Sequence, residues 1–174
     1  MLFYEKTLSS QQIFNGKLLR LRIDRVLLPD QRESIREIVE HPGAAAVVPL
    51  NNKGEIYLVR QYRKPVEESL LEIPAGTLEF GEDPLECAQR ELMEEIGFKA
   101  GKIKKLITFY TSPGICTEIM HVYLATELEK TGVQRDKDEF IEVESYNLKE
   151  VIDLIKEGKI KDAKTIVGLL LTNY

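Results

Sequence analysis

Cysteine, histidine and long apolar runs are all scarce in this chain, which has two Cys and two His. Cys87 and Cys116 are too few and too far apart for a disulfide framework or a Cys-rich zinc site, so both read as free thiols in a reducing cytosol. No stretch approaches the ~20 apolar residues of a membrane span, and Met1-Leu2-Phe3-Tyr4-Glu5-Lys6 has no signal-peptide core. The expected address is therefore cytoplasmic. Positive charge is also short: 24 Lys and Arg against 29 Asp and Glu leave a net charge of -5, which argues against a nucleic-acid-binding surface. His41 stands before a proline and His121 within a strand pattern, places where histidine is more often structural than catalytic, so neither receives a role. Repeats and low-complexity tracts are absent.

What is present is an ordinary globular composition: 174 residues, 43% hydrophobic and 30% charged, suiting one domain or one domain plus a small appendage. Residues 3–40 read as strands. Asn15-Gly16 suggests a hairpin turn between Gln11–Phe14 and Lys17–Leu28, where Leu19, Leu21 and Ile23 alternate with Arg20, Arg22 and Asp24. Pro29-Asp30 turns the chain into Ser34–Glu40, completing an antiparallel meander that cannot stand alone with one apolar face uncovered. Ala44–Leu50 is unbroken in small and branched apolar residues and reads as a buried central strand. Further strands are expected at Glu55–Arg63, Leu70–Ile73, Lys102–Phe109, Ile119–Glu127 and Phe140–Tyr146, with a polar mobile loop at 129–139. Asn147 to Glu150 is a capping-box start for a helix stopping near Gly158, and Asp162 opens a last helix with Ile166, Leu169 and Leu170 on its apolar side. Strands, helix, strands, helices, without regular alternation, predict an α+β fold: a mixed sheet with helices on both faces.

Between Gly76 and Phe98 the residues G-T-L-E-F-G-E-D-P-L-E-C-A-Q-R-E-L-M-E-E-I-G-F hold a loop, a helix and a stop. Asp83 is the N-cap, Pro84 the first helical position, Glu86 the capping-box partner and Gly97 the C-terminal stop. Leu85, Ala88, Leu92 and Ile96 form one stripe, with Glu91 and Glu95 beside it and Glu94 further round. Carboxylates at this density suit a hard divalent cation, Mg²⁺ or Mn²⁺, which keeps positions open for water and phosphate oxygens. On charge alone, a solvated acidic face with Arg90 paired to Glu86 or Glu94 competes with that reading.

The full spacing decides between them. Gly76, five residues, Glu82, seven residues, Arg90-Glu91-Leu92, one residue, Glu94-Glu95, one residue and Gly97-Phe98 together resemble the Nudix box. The resemblance continues outside it. Arg36-Glu37 before His41-Pro42-Gly43-Ala44, then Gln61-Tyr62-Arg63, Glu72-Ile73-Pro74-Ala75-Gly76, and Pro113 in Ser112-Pro113-Gly114 are similar to the family's ADP-ribose pyrophosphatases.

This resemblance implies an α/β/α sandwich with a mixed sheet, residues 43–174 forming the hydrolase domain and residues 1–42 an N-terminal meander. The meander would serve dimerisation and extend the substrate pocket of a homodimer whose site draws on both chains. The implied activity is Mg²⁺-dependent hydrolysis of ADP-ribose to AMP and ribose 5-phosphate. Glu91, Glu95, Glu94 and the Ala75 carbonyl are the implied metal ligands, while Glu82 and Arg90 lock the loop to the helix through an ion pair, with direct ligation by Glu82 as the alternative. Arg90 also stands with Glu94, Glu95 and Glu139 in the implied catalytic set, Glu139 as candidate general base with Glu94 and Glu95 as alternatives. Arg63 is the candidate diphosphate clamp, since a guanidinium offers phosphate a planar fork. Arg36 and Glu37 are assigned to the adenine or ribose side. Glu72 is assigned to a ribose hydroxyl or a metal-bound water, and Pro113 and Gly114 to the substrate loop. Tyr62 reads as a core residue, with a stacking partner as the alternative. Other substrates in the same chemistry are another nucleoside-diphosphate sugar such as GDP-mannose, or a nucleoside triphosphate. The reading from a different class is an ADP-ribose sensor that does not cleave, but such modules lose box glutamates and this chain keeps them all.

Overall fold

A computed structural model describes residues 3–132 and 140–172 of the chain. Strand β4 (Ala44–Pro49) is buried at every position, as its apolar run demands of a strand covered on both faces. Successive side chains point to opposite faces, and the two faces serve two cores. Ala45 and Val47 pack with Cys87, Ala88, Leu92 and Ile96 of helix α1 (Pro84–Ile96) and with Tyr123 and Ala125. Ala44, Ala46 and Val48 pack with Ile56, Leu58, Leu71 and Ile73, and with Val151, Ile160 and Leu169 from the region of α2 (Leu148–Lys156) and α3 (Ala163–Thr172).

Around β4 lies a four-stranded sheet in the order β7-β4-β9-β8, from β7 (Ala75–Thr77), β8 (Phe98–Tyr110) and β9 (Ile119–Lys130). Pairing of β4 is antiparallel to β7 and parallel to β9, so the sheet is mixed. A second sheet has the order β10-β5-β6, from β5 (Glu55–Arg63), β6 (Glu68–Glu72) and β10 (Ile141–Asn147). The turn into β5 is closed by Asn51, whose side-chain oxygen accepts from Lys53 N–H and Glu55 N–H at 2.9 and 3.0 Å. This is the expected α+β architecture. The strands run longer than their apolar patterns, and β7 has too few residues to show periodicity.

Two compact units emerge from the chain: residues 1–43 with 110–119, and residues 44–109 with 120–174. The first holds the antiparallel meander β1 (Lys6–Asn15), β2 (Arg20–Leu27) and β3 (Glu33–Glu40). Its first connection is wider than an Asn-Gly hairpin: Asn15 pairs with Arg20, and Gly16 N–H donates to Leu19 O at 3.0 Å. Burial on β2 also differs from expectation. Leu21 and Ile23 are half-buried, whereas Asp24 and Val26 on the other face are buried. The segment 110–119 adds to the meander along the edge of β3, through Val39 N–H to Ile115 O (2.8 Å) and Thr117 N–H to Val39 O (2.9 Å).

Three further expectations are corrected. On α1 the buried side is rotated from the expected stripe: Leu85 is exposed, and Cys87, Glu91 and Glu95 are buried with Ala88, Leu92 and Ile96. Leu170 is exposed on α3, because Thr165, Gly168 and Leu169 make the sheet-facing side; a Cβ on Gly168 would come within 2.9 Å of Val48 Cγ2. Tyr62, at the end of β5, lies on the surface.

Candidate active site

Helix α1 starts where the sequence places its cap. The Asp83 carboxylate accepts from Leu85 N–H at 2.8 Å, and Pro84 supplies a preset φ. It stops at Gly97, whose φ of 72° is the left-handed conformation that favours glycine, with its N–H directed to Leu92 O and Met93 O. Between these ends Glu91 and Glu95, 7% and 2% exposed, are carried on the side of the helix that faces the loop after β6. Ala75 N–H donates to Glu95 Oε2 at 3.3 Å. The fit at Gly76 is tighter still: a Cβ built there would lie 1.7 Å from Glu91 Oε1. With Glu91 in this rotamer the space a Cβ would take is filled by its carboxylate, so a larger residue at 76 would have to turn that side chain aside.

Arg90 ties this helix to the loop. Its Nε and Nη2 donate to Glu82 at 2.9 and 3.1 Å, and its Nη1 donates to Glu91 Oε1 at 2.6 Å and Glu94 Oε2 at 3.0 Å. Nη2 also reaches Thr77 O at 3.3 Å. The bond to Glu82 contributes most to raising Arg90 above its ordinary range, with Glu91 and Glu94 adding to it. The same bond holds Glu82 below the ordinary carboxylate value. Cys87, buried in the helix, has its thiol pushed up to about 12 by burial first and by the charge of Glu82 next. It is a packed thiol, without thiolate reactivity.

These residues suit a divalent metal by the chemistry of their donors: two buried carboxylates on one helix flank, a third at Glu94, and the Ala75 backbone within hydrogen-bonding reach of Glu95. Among the described residues no group of three acidic, His or Cys side chains converges as a ligand shell. Arg90 draws Glu91 and Glu94 to itself instead. A metal held by Glu91, Glu95, Glu94 and the Ala75 carbonyl would screen phosphate oxygens and acidify a water.

A second polar centre lies on β5 and β6. Arg63 donates Nε and Nη2 to the two oxygens of Glu72, both at 2.8 Å, and Lys164 of α3 also donates to Glu72 Oε2. Burial alone would raise the carboxyl of Glu72; the hydrogen bond from Arg63 and the charge of Lys164 outweigh it and bring Glu72 to about 2. At 1% exposure, Glu72 therefore faces two cations within the protein rather than a solvent-filled pocket. Arg63 is raised chiefly by its bond to Glu72, with weaker support from Glu95 and Asp162.

In the first unit, Arg36, Pro113 and Gly114 line one cleft of about 350 Å³ with Glu5, Arg22 and Ile38. Arg36 is held there by Glu5, its Nε donating to Oε2 at 2.9 Å and its Nη2 to Oε1 at 2.5 Å. Glu37 is the next residue on β3, pairs with Ile23, and points to the other face. Glu139 lies outside the described residues, as does most of the polar loop expected at 129–139. Sequence reasoning missed Lys164, Thr165 and Glu5. Their partners are distant in sequence, and no local pattern marks them.

A close-packed glycine loop, an arginine lock and a helix flank of buried glutamates, on a mixed sheet between helices, are an arrangement suited to metal-dependent hydrolysis of phosphoanhydrides. The NUDIX domain profile matches residues 40–168, and a nucleoside diphosphate sugar hydrolase N-terminal domain matches residues 5–39. The chain belongs to the Nudix hydrolase family, whose members work with a divalent metal. It is 48% identical over 167 residues to an ADP-ribose pyrophosphatase of Bacillus subtilis, covering 95% of this chain and 90% of that one. It is 47% identical over 170 residues to a methanol dehydrogenase activator of Bacillus methanolicus, covering 97% and 92%. The solved structure of an ADP compounds hydrolase superposes with a TM-score of 0.87 at 22% identity, covering 97% of this chain and 92% of that one, and shares its fold.

Proposed function

We propose that the chain hydrolyses ADP-ribose to AMP and ribose 5-phosphate, with Mg²⁺ as the working ion. The observation that carries this reading is the flank of Glu91 and Glu95 packed against Gly76, reinforced by 48% identity to an ADP-ribose pyrophosphatase along nearly the whole chain. Water attacks one phosphorus, the bridging P–O bond breaks, and the leaving phosphate takes the bridging oxygen. Glu139 receives the water's proton, and Glu94 or Glu95 stands in if it does not. Arg63 neutralises diphosphate oxygens, and Arg36, Pro113 and Gly114 hold the adenosine side.

A second copy of the chain completes the site. The meander invites one: β1 is exposed along its whole length, and Phe14, Leu18 and Ile35 are large apolar side chains left in solvent. Glu37, on the face away from the cleft, acts in the partner's pocket. Two free thiols, Cys87 and Cys116, fit a reducing cytoplasm.

Incubating the protein with Mg²⁺ and a panel of ADP-ribose, GDP-mannose and nucleoside triphosphates, and resolving the products, tests the substrate. AMP and ribose 5-phosphate in equal amounts, with ADP-ribose turned over fastest, is the expected result. Preference for GDP-mannose would replace this reading with its sister chemistry. Binding of ADP-ribose without products would leave a sensor. The activator relative earns one more assay, stimulation of an alcohol dehydrogenase by the same preparation.

A further inference from the structure

We propose that Lys164 is a positioning residue, which through Glu72 holds the Arg63 guanidinium ready for the diphosphate; the proposal rests on the substrate reading above. Lys164 is carried by the first turn of α3, 92 residues from Glu72, and its side chain is 12% exposed. It touches two carboxylates, Glu72 and Asp162, the latter at 3.1 Å. Asp162 in turn caps α3, accepting from Thr165 N–H at 3.0 Å, and Thr165 Oγ1 accepts from Ile73 N–H at 2.9 Å. The start of α3 is thus pinned to the end of β6 by a backbone bond at Ile73 and a charge at Glu72. Two residues beyond Ile73 is Ala75, bonded to Glu95 of the helix flank.

Within this frame the bonding of Glu72 is asymmetric. Among the described residues Oε1 accepts from Arg63 Nε alone, while Oε2 accepts from both Arg63 Nη2 and Lys164 Nζ. A bidentate carboxylate fixes a guanidinium plane only if the carboxylate itself cannot turn. β6 holds the backbone of Glu72, and Lys164 holds its free end. The Arg63 side chain remains 39% exposed while its partner is almost wholly covered, and its guanidinium has N–H donors beyond those given to Glu72. Losing Lys164 would leave Glu72 with one cation and let the Arg63–Glu72 pair swing. Binding of an anion by Arg63 would then have to include the cost of ordering it.

Steady-state hydrolysis of ADP-ribose with Mg²⁺ by wild type, Lys164→Met, Lys164→Arg, Arg63→Gln and the Arg63→Gln/Lys164→Met double variant tests the proposal. Thermal melts of each accompany the kinetics. Lys164→Met should raise KM ~10-fold with kcat within about threefold, and Lys164→Arg should return KM to within about threefold of wild type. In the Arg63→Gln background, Lys164→Met should add no further rise in KM, because the group it acts through is gone. An unchanged KM accompanied by a lower melting temperature would assign Lys164 to stability alone and overturn the proposal. Effects that multiply in the double variant would overturn it equally. Should Lys164→Met not fold, Lys164→Gln carries the comparison, with a rise of about threefold expected and none overturning it. A wild-type protein that ignores ADP-ribose would sink the substrate reading instead, and the variants would then be compared on whichever panel substrate it cleaves.

Discussion

At Gly76 the Glu91 carboxylate occupies the place of a side chain, its Oε1 standing 1.7 Å from where a Cβ would be. Gly76→Ala must therefore displace the loop or the glutamate. We expect a loss of ~10²-fold in kcat/KM with the melting temperature lowered by only a few degrees, since shifting the proposed metal ligand Glu91 costs far more rate than fold. Activity and a thermal melt measured together check it. Glu72 makes a prediction in pH. Its folded value of about 2 lies below the ordinary 4.5, so between those values the unfolded chain binds more protons. The stabilisation is complete above pH 4.5 and is lost as pH falls through about 2. Wild type should exceed Glu72→Gln by up to about 3 kcal/mol near neutrality, with the gap closing on acidification. Denaturant titrations at a series of pH values would show it, and a gap independent of pH would contradict it.

The elements owe their placement to contacts that no stretch of sequence contains. Helix α3 has a cap written in Asp162, yet what docks it is Thr165 accepting from Ile73 N–H. Thr165→Val keeps the volume and removes the acceptor, leaving a buried backbone donor without a partner. A loss of about 1–3 kcal/mol in unfolding free energy is expected from chemical denaturation. Helix α1 shows how far local signals carry. Asp83, Pro84 and Gly97 fix its two ends at the expected residues. The expected stripe through Leu85 was misplaced by part of a turn, because Glu91 and Glu95 are buried as carboxylates beside the loop rather than left outside an apolar face. Hydrophobic periodicity counts apolar residues and is blind to a buried charge that has a partner.

For the whole molecule, the meander poses the question of assembly. A strand exposed at every position beside large apolar side chains is an edge that proteins cover, and the proposed cover is a second copy. Sedimentation under assay conditions should give a dimer, and Phe14→Lys on the exposed strand β1 should yield monomers with reduced kcat/KM. A wild-type monomer of full activity would refute the shared site. Family membership was readable without coordinates, because the Gly76–Phe98 spacing specifies a loop and a helix whose geometry is local. The partners of Arg63 were not readable. It stood out as a candidate phosphate clamp, but nothing local marked Glu72 and Lys164 as the groups it stands against.

By itself the sequence determined the helix that bears the glutamates, its caps, the buried central strand and the chemistry of the donors. Each follows from residue type and spacing over a few turns, the range within which backbone sterics and side-chain period act. Tertiary structure alone decided which carboxylate stands against which cation, which face of β2 is buried, and that α3 reaches back to β6. Those depend on residues separated by most of the chain and brought together by packing, and charges so separated have no period to betray them.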